Sequence, residues 1–215
     1  MNRLYLIILT FSLFIIHCNG QNMSNPKIEK VFLDKIDTTK NCYTIIYPLE
    51  QSWAGYLILV PGFGETAENV LLQTDLPIRL AQSRILTIIP TFQDGVLSFG
   101  VDSLSQQTFD RILIDVTSKY KLTDLKFYVG GFSIGGSCAI KYAERSTIKP
   151  TAVFAIDPPL DFERFYNSAK RDIRLSKENK ASQENIYMIN RLEMITGGNP
   201  ITNLSDYYKL SPSSF

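Results

Sequence analysis

At 215 residues the chain is long enough to bury one sizeable core and reads as a single folding unit. Its 45% apolar content is ordinary for a globular protein and argues against a fibrous or disordered chain. The 22 basic and 21 acidic residues nearly cancel, so there is no electrostatic footprint for nucleic acid or another polyanion.

The first 20 residues stand apart. Arg3 gives a positive start, residues 4–16 are almost wholly apolar, and His17-Cys18-Asn19-Gly20 breaks the run. That is the pattern of a secretory signal peptide, too short for a comfortable membrane span. The chain is therefore expected to be exported: periplasmic, secreted, or held at a membrane as a lipoprotein. Two readings of the exit stand side by side, with an uncleaved anchor as a third. One is cleavage after Gly20. The other is acylation of Cys18, whose place after the apolar run resembles the lipidated cysteine of bacterial lipoproteins. Ile16-His17 departs from the small residues usual before that cysteine.

Residues 28–34 and 42–47 read as two early strands, joined by the turn-rich Asp37-Thr38-Thr39-Lys40-Asn41. Residues 56–60 are continuously apolar, as in a strand buried on both faces, and Pro61-Gly62-Phe63-Gly64 ends them. Residues 65–72 and 76–83 read as helices, with Pro77 suited to a helix start. Residues 85–89 form the next buried strand, expected to stop at Pro90. Ser103-Leu104-Ser105-Gln106 can open a helix with a capping box, and Phe109, Ile112, Leu113, Val116 and Tyr120 lie along one stripe of it. Asp94, Asp102 and Asp110 read as turn and cap residues. Residues 152–156 read as a further buried strand. Strands alternating with helices give an α/β class, with a mostly parallel sheet covered by helices on both faces. Residues 161–191 are highly charged and helical in composition, and no buried strand follows them.

One stretch carries chemistry. Phe127-Tyr128-Val129 has strand composition, residues 137–145 have helix composition, and Gly131-Phe132-Ser133-Ile134-Gly135 between them matches G-x-S-x-G. A strand that turns at once into a helix strains the residue at the turn. Glycines two positions either side remove the Cβ atoms that would collide, and the serine hydroxyl is left exposed. A plain capping serine would give the same five residues. The strand before, the helix after and the extra Gly136 favour the nucleophile.

With these residues the chain resembles the α/β-hydrolase family. The resemblance spans residues 28–156 by element order and is sharp only at 61–64 and 131–136. It implies Ser133 as nucleophile, and the backbone N–H groups of Phe63 and Ile134 as oxyanion donors. Pro61 stands where related lipases often show a histidine. The implied substrate is a small-molecule ester or other acyl compound, with no cofactor. The domains expected are a signal peptide at 1–20, a hydrolase core at 21–160 and a lid-like helical segment at 161–215. Asp157 ends the strand after the elbow helix, where some lipases place their acid. A turn aspartate before Pro158-Pro159 is the other reading.

The base is missing. The family order is nucleophile, acid, histidine, and the one histidine here is His17. The expectation is a C-terminally truncated hydrolase whose last strands are absent. The alternative is a non-catalytic envelope protein that keeps the fold to hold a ligand. A metal site is not expected from a mature chain with no histidine and two cysteines. Of those, Cys138 falls in the elbow helix and reads as a buried free thiol, with a disulfide to Cys42 as the alternative.

Overall fold

The computed structural model describes residues 25–34, 36–50, 52–176 and 180–212. His17, Cys18 and the signal-peptide reading lie outside the described residues. In chain order the elements are β1 (Lys27–Phe32), β2 (Cys42–Tyr47), β3 (Gly55–Val60), α1 (Ala67–Gln73), α2 (Leu76–Gln82), β4 (Ile85–Thr91) and α3 (Ser103–Tyr120). They continue with β5 (Lys126–Phe132), α4 (Ile134–Arg145), β6 (Ala152–Ile156), α5 (Phe162–Leu175), α6 (Lys180–Thr196) and α7 (Pro200–Leu210). Among the described residues, no helix is long and apolar enough to cross a membrane.

The six strands form one sheet in the order β1-β2-β4-β3-β5-β6. β1 and β2 enter as an antiparallel pair, and β2 lies antiparallel to β4. From β4 through β3 and β5 to β6 every pairing is parallel. Side chains alternate across the pleat. Tyr56, Ile58 and Val60 of β3 meet α3 and α4 on one face, packing with Phe109, Ile112, Leu113 and Tyr142. Leu57 and Leu59 meet α1 and α2 on the other, with Val70 and Ala81. The sheet is therefore covered by helices on both sides.

Local chemistry sets the helix boundaries. α1 starts at Ala67, because Thr66 and Asn69 form a reciprocal capping box, so Glu65 stays in the preceding turn. α3 is capped one residue earlier than the sequence suggests. Asp102, not Ser103, accepts from Ser105 N–H at 2.9 Å, a stronger cap because it also brings negative charge to the helix start.

Two strand expectations are corrected. β4 runs through Pro90 to Thr91, with Pro90 opposite Tyr43 of β2. The β3 ladder ends at Ile88, so beyond it one side of β4 carries no ladder and a missing N–H costs little there. β6 is an edge strand, not a buried one. Among the described residues it pairs only with β5, and Val153 and Ile156 are 41% and 54% exposed.

α5, α6 and α7 pack as a group of their own. Phe162, Tyr166, Ala169, Leu192 and Tyr207 close around Ile134 at the start of α4 and around Phe99 and Val101 of the loop before α3. Tyr166 donates to Glu193, and Arg191 pairs with Asp94 of the loop after β4. The helical group is thus tied to the sheet's loops by an ion pair as well as by apolar contact.

Cys42 and Cys138 are both free and buried. Burial raises both thiol pKa values, because the thiolate would lose its water. Iodoacetamide is therefore expected to leave both untouched in the native protein and to modify both in urea. Native-state alkylation of Cys138 at the unfolded rate would show that the interface between α4 and the sheet opens.

Candidate active site

The site is built where β5 ends. The strand runs to Phe132, α4 begins at Ile134, and Ser133 alone makes the turn. Its backbone sits at φ 49°, ψ −127°, a conformation that a side chain rarely adopts. The contacts around it explain why it is tolerated. Ser133 N–H donates to Ile156 O at 2.8 Å, and Ser133 O accepts from Gly136 N–H at 2.9 Å. The glycines are needed for space. A Cβ on Gly131 would lie 2.3 Å from the backbone of Gly135, and a Cβ on Gly135 would lie 2.2 Å from Pro61 O. The helix start is therefore pressed against the end of β3, main chain on main chain.

That contact brings the turn after β3 beside the elbow. In this turn Gly62 N–H donates to Glu65 Oε2 at 2.9 Å, Gly64 N–H to Val96 O at 2.8 Å, and Glu65 N–H to Gly62 O at 3.2 Å. Phe63 N–H has no partner among the described residues, and neither does Ile134 N–H. The first N–H of a helix has no partner inside the helix, so the Ile134 amide stays open beside the strained serine, and the Phe63 amide stays open on the segment that touches it. The Phe63 ring packs edge-on to Phe99 at 5.4 Å and joins the cluster around Ile134, which fixes the turn from its other side.

The fold has counterparts among solved structures. A Bacteroides ovatus protein assigned as a dipeptidyl aminopeptidase IV superposes with a TM-score of 0.58 at 14% identity, over 89% of this chain and 26% of that one. The acylaminoacyl peptidase of Pyrococcus horikoshii gives 0.57 at 12% identity, over 87% and 29%. The S-formylglutathione hydrolase of Agrobacterium tumefaciens gives 0.55 at 12% identity, over 80% and 64%.

The chain has the α/β-hydrolase fold.

It spans 64% of the formylglutathione hydrolase and little more than a quarter of either peptidase. No protein-family model matches it, and no protein curated for function matches it in sequence.

Within that hydrolase fold the sequence-derived residues fall as follows. Ser133, Ile134 and Phe63 are brought together at the carboxyl ends of β5 and β3. Asp157 follows Ile156, the residue whose carbonyl accepts from Ser133, and its backbone is left-handed at φ 53°. This places the exposed Asp157 beside the elbow, in the turn ahead of α5. Glu65 is the residue that sequence reasoning did not single out, because it read as part of a helix. The signal was its i+3 spacing from Gly62, which suits a side chain returning to a backbone amide. Among the described residues no three His, Cys, Asp or Glu side chains gather as a metal site would require.

Proposed function

We propose that the chain belongs to an exported serine hydrolase that cleaves a small-molecule ester or other acyl bond through an acyl-enzyme on Ser133. The observation that carries this reading is the strained Ser133, followed by the unpaired Ile134 amide, on a helix start that touches the segment carrying the unpaired Phe63 amide. Ser133 Oγ attacks the carbonyl carbon, and its proton passes to a base. The carbonyl oxygen, now negative, is held by the two N–H groups. Collapse expels the alcohol with a proton and leaves the acyl group on Ser133. Water then releases the acid and restores the serine. Asp157, which follows the residue whose carbonyl accepts from Ser133, is the carboxylate offered as the acid of the triad. Export rests on the signal pattern of residues 1–20, and membrane attachment on Cys18.

The base is not supplied by a histidine in the described chain, since the only one is His17. The second reading is an envelope protein that uses the same site to hold a ligand without chemistry. A fluorophosphonate probe with added imidazole separates the two. Phosphonylation is expected on the tryptic peptide 127–141, and Ser133→Ala should abolish it. Equal labelling of the Ser133→Ala protein would end the nucleophile reading. A wild-type protein that takes no label would leave the binding reading in front.

A further inference from the structure

Glu65 stands apart from every other carboxylate of the described chain, because it sits inside the turn that would hold an oxyanion. Oε2 accepts from Gly62 N–H at 2.9 Å, and Oε1 accepts from Gln73 Nε2 at 2.6 Å. Gln73 is the last residue of α1, so the side chain spans from the turn to the far end of the next helix. A Cβ at position 62 would fall 2.8 Å from Oε2, so a side chain there would push the carboxylate tip from its present place. A negative group next to a developing negative charge opposes catalysis unless it performs another task. Here the task is visible in the turn's own amides. Glu65 occupies Gly62 N–H, Val96 occupies Gly64 N–H, and Phe63 N–H is left over.

We infer that Glu65 is the positioning residue of the oxyanion turn, bracing Gly62 so that Phe63 N–H is the one donor the turn presents. This rests on the reading of Ser133 as nucleophile. Without the brace Gly62 N–H competes for the same anion, and the turn keeps only its backbone bonds, Gly64 N–H to Val96 O and residue 65 N–H to Gly62 O, which leave the direction of the Gly62 amide unheld. Glutamine keeps a carbonyl acceptor for Gly62, and Gln73 can turn its own amide to face it. Alanine keeps neither acceptor nor reach.

The test uses the whole chain as wild type, Glu65→Ala and Glu65→Gln, with the fluorophosphonate rate at Ser133 in imidazole buffer and amide exchange at Gly62 as separate readouts. Deleting an oxyanion donor outright costs about 10²–10³ in rate, so misplacing one should slow Glu65→Ala labelling about tenfold or more. Glu65→Gln should stay within about threefold of wild type, since the acceptor survives. Gly62 exchange should quicken in Glu65→Ala and hold in Glu65→Gln. Equal labelling by Glu65→Ala and wild type would overturn the proposal. So would an equal loss in both variants, which would assign the effect to charge. If wild type takes no label, the nucleophile reading fails by itself and exchange still judges the brace: unchanged Gly62 protection in Glu65→Ala overturns it, and lost protection upholds it.

Discussion

Ester hydrolysis by this chain without added base is expected to run on the order of a million-fold below a complete serine triad, and imidazole is expected to restore part of it. The first figure follows from what loss of the histidine costs in a triad enzyme, which leaves roughly a thousand-fold over water from binding and the oxyanion donors alone. The second follows from general-base catalysis, worth about 10²–10⁴-fold when a base is placed at the hydroxyl. A free base in solution is not placed, so the lower end, about a hundredfold, is the expected gain. The neutral form of imidazole is the active one. The rate should therefore climb as pH rises through its pKa, near the 6.5 of a histidine side chain, and level off above it. Without imidazole no such inflection is expected, because the described residues hold no histidine. The assay is release of nitrophenol from an activated acetate, with Ser133→Ala as background. Rapid turnover without imidazole, lost in Ser133→Ala, would mean that the chain carries its own base. The carboxylates near the elbow, Asp157 first, would then be tested by substitution.

How much of this site was legible beforehand follows from which contacts are local. The elbow could be read because its parts lie within six residues and each glycine has a steric reason to be there. β3 and α3 could be read because burial on two faces and a single helical stripe each leave a periodic trace. The start of α4 at Ile134 follows from the same pattern, because a serine that turns a strand at once into a helix puts the next residue at the helix N-terminus. β6 was assigned to the interior because Ala152-Val153-Phe154-Ala155-Ile156 is apolar throughout, yet burial depends on neighbours that composition does not name. Pro90 looked like a strand end because the sequence does not say which side of β4 lacks a ladder. Arg191 and Asp94 are 97 residues apart and left no local trace. The brace of Glu65 on Gly62 is short in sequence but was hidden by reading Glu65 as helix.

Gly135→Ala is expected to cost about 3 kcal/mol or more of stability, against a total of about 5–15 kcal/mol for a domain of this kind. Two effects oppose each other. Alanine favours a helix over glycine by about 1 kcal/mol, and residue 135 lies in the first turn of α4. Against this, the new methyl would lie 2.2 Å from Pro61 O and 2.3 Å from Val60 O. Both obstacles are main chain at the end of β3, whose residues are buried between two helical layers, so neither can swing aside as a side-chain tip would. Overpacking a tight site costs about 1–3 kcal/mol when side chains can give, and a main-chain obstacle belongs at the top of that range or above it. The steric cost therefore exceeds the helical gain. Gly64→Ala is the control: nothing lies within 4 Å of the added atom, and the loss should be the strain of its φ of +76° alone, about 1–2 kcal/mol. Urea unfolding followed by circular dichroism measures both. A Gly135→Ala midpoint at or above that of wild type would mean that α4 does not meet β3 main chain to main chain. Since that contact also brings the Ile134 amide beside Phe63, any folded Gly135→Ala protein should label at Ser133 more slowly than Gly64→Ala does. Stability and the anion site would then fail together, because one close approach of helix to strand produces both.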